Sequence, residues 1–589
     1  MAWGHALTSE VRDPNELDER RWRLYVLFAV ITGCVLVLVV RLVYIQVIQH
    51  QHFLALAAAE RWHREVTPAR RGTIRDASGV PLATTVPYEA AYANTSQIGD
   101  PGEVSRLLGP ILGVAPADLE PKLRTRQDGP VLIQRDLPAE VADRVRALRA
   151  PGISLRRESR RVHPEGNLAA QLLGVVGVDG QGLSGLEAAL DADLAGKPGW
   201  VLAERDTGGD EIALGPREAT PPVDGADVIL TVDRHVQQIV ERELTAALEQ
   251  RRAKGGTVVV LEVRTGAVLA LASRPTLRYD DPHLFEESKL PLYRIPAVND
   301  VYEPGSVFKI VTMAAALDAR VVTPETTVMD TGSFAYAGGV VRNSVAWPPG
   351  LVTMTQVLQR SSNVGAAQVG VMLGTRRFYE YVAAFGFGRP TGIELPGEAA
   401  GLVKRPGQTG WDDYDLVANS FGQGIAVTPL QMAAAVAAIA NGGTLLKPYV
   451  VAQVRGPALE RTYYPAVVRQ VVRAETARRL TEMLVATVEH VEGDKPRLSK
   501  VPGHRVAGKT GTSEVPRAHG YDRSATIASF VGYAPADDPR FVVLVKIDEP
   551  QDSPWGETVA APLFRSIAQQ LLVYFRVAPS ESQASKAGR

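Results

Sequence analysis

The sequence predicts a multidomain α+β protein. An N-terminal transmembrane helix is followed by an extended mixed α/β pedestal and a C-terminal domain with a five-stranded, mainly antiparallel sheet flanked by helices. Three observations predict it. Leu24 to Val40 contains no charged residue. The composition shifts after Pro221-Pro222. Beyond that point, two strand-like runs come early, three come late, and mostly helical pattern lies between them. A chain of 589 residues needs several cores at roughly 150 residues each.

Composition narrows the class. Apolar residues are 45% and charged residues 22%, the mix of a globular protein. Lys+Arg is 64 against 65 Asp+Glu, a formal net charge of -1. That balance lacks the basic surplus a phosphate backbone requires, so nucleic acid is not expected as a partner. The single cysteine, Cys34, excludes a disulfide framework and a cysteine-rich metal site. No H-E-x-x-H occurs and the ten histidines are scattered, His504 and His519 reading as rim residues; no metal and no cofactor are expected.

Residues 1–23 read as a short cytoplasmic tail and 24–48 as the transmembrane anchor. As a helix the uncharged run spans about 25 Å, and the stretch to Ile48 about 37 Å, enough to cross with a tilt. Arg41 would snorkel to the far interface. Arg12, Arg20, Arg21 and Arg23 precede the run, and Arg41 alone follows closely, so the positive-inside rule places the N-terminus in the cytoplasm. A cleaved signal would need small residues after the run, and RLVYIQVI offers none. A buried core helix is the remaining alternative. Gln46 to Arg64 is expected to leave the bilayer as a juxtamembrane helix.

Residues 49–225 form the pedestal, a dimerisation-like scaffold. Its RRGTIRDASGVPLATT reads as strand, Asp-Ala-Ser-Gly turn, strand. It is rich in Gly, Pro and Arg and carries no cluster of reactive side chains. Residues 226–577 form the C-terminal domain. Val228 to Val232 is strand-like, and Asp233 can cap the helix RHVQQIVERELTAALEQRRAK. GTVVVLEV and AVLALAS make a hairpin around Arg264-Thr265-Gly266. HRVAGKTGTSEV, TIASFVGYAP and RFVVLVKIDEP are the three late strands, and an amphipathic helix covers Ala560 to Phe575. Residues 578–589 are small and polar, the composition of a disordered tail.

Three short patterns can carry chemistry. In YEPGSVFKIVTMAAALDA, Ser306 opens an apolar helix and Lys309 lies at i+3 on the same face. A serine hydroxyl needs a base, and a lysine is one when burial or a neighbouring cation keeps it neutral. S-x-x-K alone arises easily by chance, and a surface serine with a solvated lysine is the bland alternative. In LQRSSNVGAAQVG, Ser361 can relay a proton and the Asn363 amide can hold a substrate carbonyl, although a helix cap explains the same residues. In VAGKTGTSEV, Lys509 offers a cation for a carboxylate, Thr510 and Thr512 offer hydroxyls, and Gly511 admits close approach of a ligand backbone. A phosphate loop is excluded, since G-x-x-x-x-G-K-[ST] is absent.

All three patterns in this order resemble the penicillin-recognising serine acyl-transferases, with S-x-x-K, S-x-N and K-T-G. RGTIRDASGVPLA, GLSGLEAALDADLAG, YEPGSVFK, SFGQGIAVTPLQ, AGKTGT and SFVGYAPADDPRFVVLVKIDEP resemble class B penicillin-binding proteins in particular, from the anchor to about residue 575. The closing segment is more similar to the division-type (septal) branch than to the elongation-type branch. PTLRYDDPHLF departs from the family's more usual proline-tyrosine-asparagine run.

The resemblance implies a penicillin-binding transpeptidase domain and a peptidoglycan D,D-transpeptidase in the bacterial cell membrane, with its catalytic domain extracytoplasmic. Catalytic roles would fall to Ser306 (acylated nucleophile), Lys309 (base), Ser361 (relay), Asn363 (substrate amide) and Lys509. Thr510, Gly511 and Thr512 would bind substrate, and the backbone N–H groups of Ser306 and Thr512 would form the oxyanion hole. Implied partners are peptidoglycan stem peptides, β-lactams, the membrane, a polytopic glycosyltransferase of the shape, elongation, division and sporulation family, and other division or elongation proteins.

Competing readings are weaker. Aspartic proteases pair two D-T-G loops, but of Asp206-Thr207-Gly208 and Asp330-Thr331-Gly332 only the second has an apolar approach. A β-lactamase would be shorter and released. A β-lactam sensor would carry more spans, and a silent membrane scaffold would not keep all three motifs.

Overall fold

The structure, a computed structural model, describes residues 14–54, 62–125, 129–204, 212, 217–457, 459–492, 495–517 and 520–580. The chain divides into two compact units, Met1–Pro68 with Pro198–Pro222 and Ala69–Lys197 with Val223–Arg589. In the first, a helix over Pro14–Val43 continues into a π-helical turn, Tyr44–Ile48. Arg21–Ile48 is strongly apolar, and no part of it is buried against protein. A helix apolar on every face and bare of protein needs lipid around it, and the chain is membrane-anchored.

The same unit holds a three-stranded antiparallel sheet of Trp62–Thr67, Gly199–Glu204 and Arg217–Thr220. This corrects the juxtamembrane helix: helix reaches Leu54, but Trp62–Thr67 is strand. Its partner lies far along the chain, and that pairing overrides the local pattern.

In the second unit, the expected strand-turn-strand is present as Ile74–Arg75 and Pro81–Ala93. The Asp76 carboxylate closes the turn by accepting from the N–H groups of Ser78 and Val80 at 2.9 and 2.8 Å. Pro81–Ala93 pairs antiparallel with Ile153–Val162 and Val131–Leu137. Ile74–Arg75 pairs parallel with Asp227–Leu230, which pairs in turn with Val451–Gly456 and then Leu459–Thr462. Two long-range segments therefore complete this sheet. Arg71 and Arg161 grip the fully buried Glu187 at 2.6 and 2.7 Å, the double pairing a buried carboxylate requires.

The C-terminal region starts with α1 (Arg234–Arg251), capped as expected by Asp233, which accepts from the N–H groups of His235 and Val236. Strands β1 (Gly255–Glu262) and β2 (Val268–Arg274) follow. Next come α2 (Lys309–Asp318), α3 (Met354–Gln359), α4 (Asn363–Leu373), α5 (Asp413–Ser420), α6 (Pro429–Ala440) and α7 (Ala474–Glu489). Strands β3 (Ala507–Arg517), β4 (Gly520–Ala534) and β5 (Phe541–Asp548) precede α8 (Gly556–Tyr574).

The five strands form one antiparallel sheet in the order β2-β1-β5-β4-β3. Val258 and Val260 of β1 pack with α1 and α8, while Val259 and Leu261 pack with α2, α6 and α7. Both faces are covered, which is why VVVL and FVVLV read as unbroken apolar runs. β3 is left at an edge, where a peptide can lie alongside it.

The middle region is less helical than expected. Thr327–Asp330 pairs with Gly350–Thr353, and Ser333–Tyr336 pairs with Gly339–Arg342. Four-residue strands are too short to leave a clear period in sequence.

Candidate active site

Pro304 and Gly305 lead into a 3₁₀ turn, Gly305–Phe308, which runs directly into α2. Gly305 has a φ of +57° and its N–H donates to the Gly422 carbonyl at 3.0 Å. This left-handed step presents Ser306 at the head of a buried helix. α2 is buried along nearly its whole length, from Lys309 to Leu317. Its apolar, alanine-rich sequence carries Lys309 into the interior, where its side chain is 1% exposed.

The Lys309 amine has four oxygen neighbours: Ser306 Oγ at 2.9 Å, Ser361 O at 2.7 Å, Asn363 Oδ1 at 2.7 Å and Ser361 Oγ at 3.3 Å. A backbone carbonyl and an amide oxygen can only accept, so they take two N–H bonds. Asn363 is oriented by its own Nδ2, which donates to the Arg342 carbonyl at 3.0 Å. A neutral amine then has one lone pair left, positioned for the Ser306 hydroxyl proton. Burial drives the Lys309 pKa well below its ordinary value, the nearby Lys509 charge lowers it further, and Asp330 opposes them.

Lys509 comes from β3 and is equally buried. Its amine donates to Ser361 Oγ at 3.0 Å, the Thr510 carbonyl at 3.1 Å and Thr510 Oγ1 at 3.2 Å. The Ser361 hydroxyl thus sits between two amines. Burial, and then the Arg497 charge, bring Lys509 down to about 7 against the opposing pull of Glu557. Ser361 holds a left-handed φ of +54°, an unfavourable conformation for a residue with a Cβ.

The three sequence patterns converge here. Thr510 lines the edge strand beside Lys509, and Thr512 Oγ1 accepts from the Gly556 N–H at 3.0 Å, tying β3 to the start of α8. The Thr512 carbonyl lies 2.7 Å from where a Cβ on Gly305 would stand, so its backbone abuts the residue before Ser306. At Gly511 the close approach comes from inside. A Cβ there would lie 2.3 Å from Ser529 Oγ and 2.9 Å from the Pro304 carbonyl. The turn that carries Ser306 and the neighbouring Ser529 leave room only for glycine there.

Two features escaped the sequence reading. Asp330, set aside as half of a false D-T-G pair, lies against the Ser-Ser-Asn loop: the Ser362 hydroxyl donates to it at 2.6 Å. Glu303, three residues before Ser306, accepts from the Tyr521 hydroxyl at 2.9 Å and the Gly424 N–H at 3.1 Å, linking two walls of the site. No spacing rule marks either residue. Asp206-Thr207-Gly208 and His519 lie outside the described residues.

Comparison with known proteins agrees with this geometry. Residues 256–569 match the penicillin binding protein transpeptidase domain, and residues 66–230 match the penicillin-binding protein dimerisation domain. Stage V sporulation protein D of Bacillus subtilis is 34% identical over 579 residues, covering 96% of this chain and 88% of that protein. Peptidoglycan D,D-transpeptidase FtsI of Escherichia coli is 31% identical over 570 residues, covering 95% and 92%. The structure of penicillin binding protein 3 from Mycobacterium tuberculosis, complexed with aztreonam, is 29% identical with a TM-score of 0.68, covering 88% of this chain and 98% of that one.

Proposed function

The chain belongs to the class B penicillin-binding proteins, and from that premise we propose that it is a serine-type peptidoglycan D,D-transpeptidase acting through Ser306. The observation that carries the reading is the 2.9 Å bond between Ser306 Oγ and the buried Lys309 amine.

Ser306 Oγ attacks the carbonyl between the last two D-alanines of a stem peptide, and its proton passes to Lys309 Nζ. The N–H groups of Ser306 and Thr512 stabilise the oxyanion. As the C–N bond breaks, the departing D-alanine amine takes a proton through Lys309 and Ser361. Asn363 holds the substrate amide, and Lys509 with Thr510 holds the terminal carboxylate. A neighbouring stem's amine then attacks the ester, an amide forms, and Ser306 regains its proton. A β-lactam acylates the same oxygen, but its opened ring keeps the leaving amine tethered.

The expected domain assignments follow: cytoplasmic tail 1–23, anchor 24–48, pedestal 49–225, transpeptidase 226–577 and tail 578–589, with the catalytic domain outside the membrane. Positive charge ahead of the anchor supports that orientation. A septal role rests on the similarity of SFVGYAPADDPR to the division branch, with elongation as the alternative. A fluorescently tagged chain gathering at midcell supports the first; uniform sidewall signal supports the second. Glycan strands would come from a polytopic glycosyltransferase meeting the anchor helix. Exchanging that helix for an unrelated one with no loss of activation would overturn that contact.

The activity is tested by incubating the full chain with a D-alanyl-D-alanine-ended stem peptide and an acceptor amine. Mass spectrometry should detect the joined product and free D-alanine, both lost in Ser306→Ala. Drug hydrolysis without a lasting adduct would indicate a β-lactamase, and no adduct at all a scaffold.

A further inference from the structure

We propose that Asp330 is a positioning residue of this site: its carboxylate holds the Ser361–Asn363 loop beneath the lysine amines and is the negative charge facing Lys309. The inference rests on the reading of Ser306 as the acylated residue.

The carboxylate is 4% exposed, in a place where an anion needs full hydrogen bonding. It has that bonding. Asp330 Oδ1 accepts from the Gly332 N–H and from Asn343 Nδ2, both at 2.9 Å. Oδ2 accepts from the Ser362 hydroxyl at 2.6 Å and from Asn343 Nδ2 at 3.0 Å. Both side chains bonded to it in turn hold the start of α4. Ser362 Oγ accepts from the Gly365 N–H at 2.8 Å. Asn343 Oδ1 accepts from the N–H groups of Asn363 and Val364 at 2.8 and 3.1 Å.

The carboxylate thereby fixes the residues that follow the strained Ser361, whose carbonyl and hydroxyl bond the Lys309 amine. It also lies near the N-terminus of a helix, where negative charge is favoured.

The charge matters as much as the bonds. Two lysine amines share Ser361 Oγ. Facing Lys309 are the neutral Ser306, Ser361 and Asn363, the cation of Lys509 on β3, and Asp330 from the strand Thr327–Asp330. Lys509 faces Arg497 and Glu557 in addition. Asp330 is the acid whose attraction favours a proton on Lys309. Removing its charge while keeping its shape should let Lys309 act as a free base at lower pH.

The test is the rate of labelling by a fluorescent penicillin, measured from pH 5 to 10 on the detergent-solubilised full chain. In Asp330→Asn the acid limb should move down by about half to one pH unit. Its plateau should fall about tenfold as the loop loosens. Ser362→Ala keeps the charge and breaks the link, so its plateau should fall about tenfold with the limb unmoved. A purely structural aspartate would lower the plateau and leave the limb in place. An Asp330→Asn limb superimposed on that of the parent overturns the proposal. If Asp330→Asn does not fold, an unchanged Ser362→Ala plateau overturns it. A parent chain that takes no label defeats the transpeptidase reading instead, a different outcome.

Discussion

Replacing Lys509 by methionine should make the protein more stable at neutral pH and less stable in alkali. The side chain is fully buried and its pKa falls from 10.5 to about 7. Between those values the unfolded chain binds a proton that the folded chain has released, so wild-type stability rises with pH through this window. At pH 7 nearly the whole penalty is present. A gap of about 3.5 pKa units at about 1.4 kcal/mol each is roughly 5 kcal/mol. Methionine removes the penalty but takes one donor from Ser361 Oγ and from the two Thr510 oxygens, which costs about 2 kcal/mol. The variant should therefore gain about 3 kcal/mol at pH 7, and its stability curve should cross that of the parent at about pH 9. Urea midpoints of the solubilised full chain, followed by tryptophan fluorescence from pH 6 to 10, measure this. A variant less stable than the parent at pH 7, or a gap that does not change with pH, would refute the claim that Lys509 is held against its charge.

Lys309→Arg places a permanent cation where the buried lysine is held uncharged and cannot take the serine proton, so fluorescent-penicillin labelling should slow about 10³-fold and the urea midpoint should fall. Gly422 has a φ of +85° and a Cβ there would sit 2.1 Å from the Gly305 carbonyl. Gly422→Ala should thus destabilise the fold by about 3 kcal/mol and slow labelling, read by urea midpoint and labelling rate together. Deleting residues 1–48 removes the exposed apolar helix and should release the chain from carbonate-washed membranes into the supernatant, checked by immunoblot.

Legibility in sequence followed range. Ser306 and Lys309 are three residues apart on one helical run, so their meeting is readable from spacing alone. The buried strands were readable because both faces of β1 and β5 are covered, leaving unbroken apolar runs. Asp233 announced α1 through an ordinary cap. Asp330 was not readable: its ties to Ser362 and Asn343 span 32 and 13 residues and follow no repeating period. The strand Trp62–Thr67 was missed, its first residues reading as helix up to Arg64, because its partner, Gly199–Glu204, is more than a hundred residues away. Val451–Gly456 gave no sign that it completes a sheet begun at Ile74. The left-handed Ser361 and the packing role of Gly511 depend on backbone geometry that residue type alone does not encode.

A serine oxygen activated by an uncharged lysine is the heart of the chemistry, and mass spectrometry of the full chain after β-lactam treatment tests it most directly. Peptide mapping should find the acyl group on Ser306, with the adduct absent from Ser306→Ala and strongly reduced in Lys309→Arg. An adduct on any other residue, or full acylation of Lys309→Arg at the parent rate, would contradict it.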